Sequence, residues 1–400
     1  MMCFTSSYGN KICRLKDVVM DFSKVKTVGE KRSFAQGFLI IPIKSQSDHS
    51  VLSETMLDIP GLQYVYGNEE EVLRVADWNE TDAVFVNSND DYANLAHYMD
   101  DVMTMWTMLV VSRRPAQSSV LLNFDALRKW GPAGPGRVMD RKNPDAHGRF
   151  STYFHSWFKH IKKAVDYGQK KVLFSEIYFR PFPGIGWLWR DLSVASRCSY
   201  MGPSSLFQSF SLYIRRAWLQ KFGKESVSQP SVDTLTIVFL LRGAKKSKKG
   251  SAERVIANEE EVARALKSIP NTNLIMFNGM KISFLEQYKA VSSASVIVSM
   301  HGAGLAHVFH ASIGHPGCCA VIELFPKETN KQSYVGIKGT GNWVRYLGMY
   351  YWSYVNEGGF DSDGRSIMAV DALKSQVEVA VSSVRKKASC IVSGVRNTEQ

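Results

Sequence analysis

Long apolar runs are missing from this sequence. No stretch of its 400 residues reaches the ~20 apolar positions that a membrane-spanning helix needs. Residues 1–20 carry Lys11, Arg14, Lys16 and Asp17 and hold no apolar core of signal-peptide length. Cysteine is scarce, and six in 400 residues exclude a small disulfide scaffold. Cys3 and Cys13 either close a short loop in an oxidising lumen or stay free thiols. Vicinal Cys318 and Cys319 are expected to pack as small apolar groups. There is no H-E-x-x-H, no Walker loop, no G-x-S-x-G and no internal repeat, so the signature-bearing zinc proteases, P-loop enzymes and α/β-hydrolases are set aside.

What is present is a globular composition. The chain is 45% hydrophobic, 12% aromatic and 22% charged, which excludes a disordered, collagen-like or coiled-coil protein. At ~150 residues per domain the length suggests two or three domains. Forty-nine Lys and Arg against 37 Asp and Glu leave a formal charge of +12. A basic surface suits a nucleotide, a nucleic acid or an anionic membrane without choosing among them.

The chain divides near residue 230, into an N-terminal α/β domain (1–230) and a C-terminal one (231–400). Residues 234–241 (TLTIVFLL), 272–277 (TNLIMF), 295–300 (SVIVSM) and 320–325 (AVIELF) read as apolar strands, with a fifth at 349–354. Helices are expected from Asn258 to about 267, from a capping box at Ser283 to about 293, and after His301. Apolar strands alternating with helices mean parallel βαβ units covered on both faces, as in a Rossmann-type half. A closing amphipathic helix is expected over 371–387. In the N-terminal domain the expected strands are 37–43, 83–86, 120–124 and 171–179, and the expected helices 92–110, 151–165 and 204–222.

Ligands of open parallel sheets bind outside the carboxyl ends of the strands. Those ends carry Arg242, Asn278, His301 and Glu323. Gly302, Ala303 and Gly304 follow His301 and let a backbone approach a phosphate at a helix N-terminus, where unpaired N–H groups gather. Glu323 stands 19 residues beyond Gly304, the place of a ribose-binding acid about 20 residues on. Arg242 offers the planar fork that grips a diphosphate. The set suits a nucleoside diphosphate. Each signal alone has a packing or ion-pair explanation, and their strength is that all fall on one edge.

Elsewhere, Asn94, His97 and Asp101 share one helical face, spaced i, i+3, i+7. Polar groups on an apolar helix must pair, so they form either a satisfied cluster or a general base with its orienting partners. His301, His307, His310 and His315 crowd one region without a zinc pattern. Asp361 and Asp363, in GGFDSDG, read as a turn rather than a metal site. Lys245–Lys249 reads as a solvated loop.

Residues 291–326 resemble the signature of glycosyltransferase family 61, S-x-H-G-A-x-L followed by V-x-E-L-F-P. Arg242 matches the arginine closing that family's first C-terminal strand. Arg254 and Asn258 match its R-x-I-x-N-E element, and Asn94, His97 and Asp101 its N-x-x-H-x-x-x-D pattern. The resemblance implies a GT-B architecture: two Rossmann-like domains facing across a cleft. It also implies an inverting, metal-independent transferase that needs no cofactor beyond its nucleotide-sugar donor. The donor would be UDP-GlcNAc, or a pentose donor as in plant members, and the acceptor a hydroxyl on a glycoprotein or glycan. Asp101 would be the base, with Asp100 the alternative and His97 its partner, and Asn94 would lie on the acceptor side. Arg242, Arg254, His301, Gly302, Ala303, Gly304 and Glu323 would bind the donor, with no nucleic-acid partner. The implied compartment is the secretory-pathway lumen, endoplasmic reticulum or Golgi, with membrane association only through an anchor this chain does not carry. Two other classes stand beside it. An inactive transferase fold would serve as a binding protein. A nicotinamide-dependent dehydrogenase would place its glycine turn after the first strand, not the third.

Overall fold

The computed structural model describes residues 2–5, 11–28, 31–34, 39–43, 64–87, 95–123, 153–179, 202–223, 230–242, 254–326 and 339–398. The chain forms two compact units, 1–192 and 193–400.

The first unit contains β1 (Met2–Thr5), β2 (Lys11–Asp21), β3 (Val25–Val28), β4 (Lys31–Phe34), β5 (Leu39–Ile43), β6 (Tyr64–Asn68), α1 (Glu69–Arg74), β7 (Trp78–Glu80), β8 (Ala83–Asn87), α2 (Leu95–Ser112), β9 (Ser119–Asn123), β10 (His160–Lys163) and β11 (Lys171–Phe179). Its main sheet runs β10-β9-β8-β11-β2-β5-β6, with β1 on β2 and β7 on β11, and β3 and β4 pair separately. Within the main sheet the pairs are parallel except those made by β2, and the separate β3–β4 pair is antiparallel. The register sets Cys3 opposite Cys13, and Cys13 is disulfide-bonded. The α2 sequence, LAHYMDDVMTMWTMLVVS, is apolar nearly all round, and such a helix belongs inside. Its described side chains from Leu95 to Leu109 are all buried. The helix expected over 151–165 is a correction. Among the described residues, 153–157 are α-helical and Ala164–Tyr167 form a 3-10 turn, while His160–Lys163 between them adds a parallel edge strand to β9. Lys162 there pairs with buried Glu80, a tertiary contact that outweighs local propensity.

The second unit holds α3 (Ser205–Phe222), β12 (Leu235–Leu241), α4 (Glu259–Lys267), β13 (Thr272–Asn278), α5 (Phe284–Ser292), β14 (Val296–Met300), a 3-10 segment (Ala303–His310), β15 (Ala320–Phe325), α6 (Gly339–Tyr346), β16 (Tyr350–Val355) and the closing helix α7 (Val370–Thr398). Helix α3, N-terminal to the boundary expected near 230, lies in this unit. Ser211 Oγ donates to Phe309 O at 2.7 Å, and Phe207 and Phe210 pack on the Phe309 ring. The sheet order is β13-β12-β14-β15-β16, and every pair is parallel. Counted within the unit this is 2-1-3-4-5, a doubly wound order whose direction reverses between β12 and β14.

Period-2 alternation sorts the side chains. Leu235, Ile237, Phe239, Val296, Val298, Ala320, Ile322 and Leu324 join Val262 and Leu266 of α4 and Leu373, Val377, Val381 and Val384 of α7 in one core. Arg242, Ser299, His301 and Glu323 belong to the opposite face. Cys318 and Cys319 are buried and are disulfide-bonded to each other, not packed as two separate thiols as expected. The capping box at Ser283 forms: its side chain accepts from Glu286 N, and the Glu286 side chain accepts from Ser283 N. Asn258 stands at the N-cap of α4 without a side-chain cap bond: its amide oxygen accepts from Met368 N, and its nitrogen donates to Met368 O and to Glu261 Oε2, so the side chain ties the helix start to a distant segment. Ser283→Ala is expected to lower stability by about 1 kcal/mol, and Phe239→Ala, at the centre of the core, by about 3–5 kcal/mol, both read from urea unfolding midpoints.

Candidate active site

The carboxyl edge of the second sheet gathers the C-terminal candidates. Beta pairing aligns Leu240 with Ser299, so Arg242 and His301, two residues on, face each other across the switch point. Arg242 Nη1 lies 3.5 Å from His301 O. Gly302 makes room for it: a Cβ there would stand 2.7 Å from Arg242 Nη1. Gly302, Ala303 and Gly304 are half-buried and open the 3-10 segment, rather than an α-helix. Arg254 is half-buried just ahead of Val255–Ala257, which hydrogen-bonds to Ser366.

Glu323 lies deeper, at 2% exposure. Its Oε1 is 2.6 Å from His301 Nδ1, and its Oε2 accepts from Tyr351 OH at 2.6 Å. The His301 ring stacks on Phe325, centroids 5.2 Å apart. Burial, then the neighbouring Glu323 carboxylate, raise the Tyr351 pKa far above its ordinary value, so the hydroxyl stays a donor. Reading the sequence did not single out Tyr351, because nothing short of the β15–β16 register brings it to Glu323.

In the first unit His97, Asp100 and Asp101 lie in the first two turns of α2. This helix follows β8 in the chain. Asp100 and Asp101 are 2% and 3% exposed. A helix sets residues 97 and 101 one turn apart on one face. Asn94 and Lys245–Lys249 lie outside the described residues.

Other sequence features resolve into structure. Asp361 Oδ1 accepts from the backbone of Asp363 and Arg365, and Oδ2 from Arg365 Nε, which makes the segment a braced turn. His307 Nε2 meets Gln287 Oε1 at 2.9 Å, and His307 Nδ1 meets His310 Nδ1 at 3.0 Å. Gln287 Nε2 in turn donates to Gly279 O and Ile282 O. Because an amide oxygen only accepts, His307 carries its proton on Nε2 and accepts at Nδ1 from His310. Among the described residues no three His, Cys, Asp or Glu side chains group to hold a metal ion, and no helix is long and apolar enough to cross a membrane.

A parallel α/β sheet with a guanidinium, an imidazole and a glycine turn at its switch point is the layout of a nucleotide-binding unit. The family model described as Glycosyltransferase 61 matches residues 95–321, more than half of the chain, and the chain belongs to this family. The match takes in His97, Asp100, Asp101, Arg242, Arg254 and the His301–Gly304 turn. Among known proteins, the EGF domain-specific O-linked N-acetylglucosamine transferase of Rattus norvegicus is 26% identical over 190 residues, 46% of this chain and 31% of the rat protein. The Mus musculus protein of the same name is 26% identical over 169 residues, 41% of this chain and 28% of its own length. The Xenopus laevis one is 24% identical over 164 residues, 40% and 27% respectively. The chain thus spans less than a third of the length of these relatives.

The buried imidazole pair generates a pH dependence. Complete burial, then the neighbouring His307, push the His310 pKa well below its ordinary value. The folded protein therefore does not take up the proton that an unfolded His310 binds below about pH 6.5. Protons favour the unfolded state there, and stability should fall as pH drops below about 6.5, by up to ~1.4 kcal/mol per unit. His310→Gln should flatten that slope in urea unfolding measured between pH 7 and about pH 5.

Proposed function

We propose that the chain is an inverting, metal-independent glycosyltransferase of GT-B type. It would transfer GlcNAc from UDP-GlcNAc to a hydroxyl on a glycoprotein or glycan. The observation that carries the reading is the Arg242 guanidinium held over the His301–Gly302 turn at the switch point. The donor diphosphate would sit there, gripped by Arg242 and by the N–H groups of Gly302, Ala303 and Gly304, with Arg254 adding positive charge at the same edge. Fixed donors aimed at a leaving diphosphate stabilise its developing charge, the part a metal ion plays in other transferases. The relatives are named as N-acetylglucosamine transferases, which motivates GlcNAc as the sugar. The disulfide at Cys13 supports an oxidising compartment such as the secretory-pathway lumen.

The acceptor would be activated from the first unit. Asp101, with Asp100 as the alternative, would take the hydroxyl proton as the oxygen attacks the anomeric carbon. His97 and Asn94 would assist on the acceptor side. Single displacement of this kind inverts the anomeric centre and releases the nucleoside diphosphate.

Donor hydrolysis across a panel of nucleotide sugars tests the reading as a whole. UDP-GlcNAc should be cleaved fastest and EDTA should leave the rate unchanged. Activity abolished by EDTA and restored by manganese would reject the metal-independent route, and preference for a UDP-pentose would reject the sugar. Asp101→Asn should lower turnover ~10²–10⁴-fold with UDP affinity little changed. Normal turnover in that variant beside a dead Asp100→Asn would move the base by one residue.

Arg242→Ala should weaken UDP binding roughly 10- to 100-fold in calorimetry, as expected for a charge-assisted bond. Arg242→Lys should recover little, because a point charge does not replace a planar fork. Gly302→Ala should displace the guanidinium and weaken UDP in the same direction, with no further loss when Arg242 is already Ala. Unchanged UDP affinity in a folded Arg242→Ala would remove Arg242 from the site.

A further inference from the structure

The sheet register puts three polar side chains in a line. Ser299 pairs with Glu323, and Val321 pairs with Tyr351. Side chains two residues apart share a face, and a diagonal neighbour on the next strand is within reach of a long side chain. His301 beyond β14, Glu323 on β15 and Tyr351 on β16 therefore form one diagonal across three strands. They lie on the face turned away from the α4–α7 core.

The two hydrogen bonds of Glu323 fix what its partners can do. Tyr351 OH donates to Oε2 at 2.6 Å and stays protonated, because burial and the carboxylate both oppose its ionisation. Oε1, 2.6 Å from the ring, then takes its hydrogen from His301 Nδ1. A carboxylate held at one oxygen cannot swing away from the ring. The His301 proton is thereby assigned to Nδ1, and Nε2 becomes the nitrogen turned away from Glu323. Tyr351 is braced in turn. A Cβ on Gly341 would stand 2.8 Å from its Cε1, and the Arg345 guanidinium lies 5.2 Å from its ring centroid. Phe325 covers a face of the imidazole.

We propose that Tyr351 is a positioning residue for His301. Acting through Glu323, it would fix the tautomer and the orientation with which the imidazole meets the donor diphosphate. The proposal rests on the reading of this edge as the donor site. It also gives Glu323 a different role from a ribose-binding acid: its carboxylate serves the imidazole.

The test is Tyr351→Phe in the full chain, which keeps the ring against Gly341 and Arg345 and removes only the hydroxyl. With 15N-labelled histidine, the imidazole signals of His301, assigned by their loss in His301→Ala, should show a protonated Nδ1 and a bare Nε2 in the parent protein. In Tyr351→Phe they should shift toward a mixture of tautomers. UDP affinity should fall by about 10-fold, the lower range for a bond to a charged group. In a His301→Ala background the same change should alter UDP affinity by less than about two-fold, since a residue acting through another has nothing left to act on. Unchanged imidazole signals, or an equal loss in the His301→Ala background, would overturn the proposal. Should Tyr351→Phe not fold, Glu323→Gln read by the same signals replaces it, with the same tautomer shift expected and unchanged signals overturning the proposal. If the tautomer shifts while neither protein binds UDP, the positioning stands and the donor reading fails. The two readings are thereby separated.

Discussion

A carboxylate buried in a sheet has to be paired, and the C-terminal edge is arranged around that requirement. Glu323 is 2% exposed, and a desolvated, unpartnered charge would cost several kcal/mol. Both of its oxygens are engaged, one by His301 and one by Tyr351. The demand reaches across strands. His301 must sit at the end of β14 and Tyr351 on β16, with the register that sets Val321 opposite Tyr351. A slip by one residue would turn the tyrosine to the other face, leaving Glu323 with half its partners. The pairing that satisfies the charge also specifies the register.

The strand order supplies the second half of the edge. Because the chain crosses from β13 over β12 to β14, the ends of β12 and β14 become neighbours where the order reverses. Arg242 and His301 meet there, and Gly302 leaves space that a side chain would take from the guanidinium. Fixed positive charge, backbone N–H groups and an oriented imidazole thus converge through topology. The residues that hold them, Leu235 to Leu324, are packed from the opposite face by α4 and α7.

The second unit was largely legible in its sequence, because fully buried parallel strands are continuous apolar runs and nothing competes with that signal. The runs at 235–241, 296–300 and 320–325 and the box at Ser283 stand where reading placed them. The first unit was harder. β2 spans Lys11–Asp21 with Lys16 and Asp17 exposed among buried valines, a mixed pattern that hides a long central strand. His160–Lys163 carries a helical neighbourhood and becomes a strand only through β9 and the Lys162–Glu80 pair. Asn258 does stand at the N-cap of α4, but the amide oxygen that would cap the helix accepts instead from Met368 N, 110 residues away. In each case a long-range partner decided, and local pattern carries no information about partners.

The same limit explains what motif comparison sees of the site. The family match ends at residue 321, after Arg242 and the His301–Gly304 turn; Glu323 stands in the V-x-E-L-F-P run that the sequence shows, and Tyr351 lies beyond both. A motif is contiguous, and the turn is contiguous. The diagonal that orients it is not, since its three members sit on three strands and meet only through two registers. Side chains that contact a ligand directly can be found by scanning the chain. Those that set the tautomer of such a side chain are found by asking where its second nitrogen-bound proton or lone pair goes, and then where that partner's remaining oxygen goes. From His301 the hydrogen bonds run to Glu323 and then to Tyr351, and they end at a hydroxyl that burial keeps protonated.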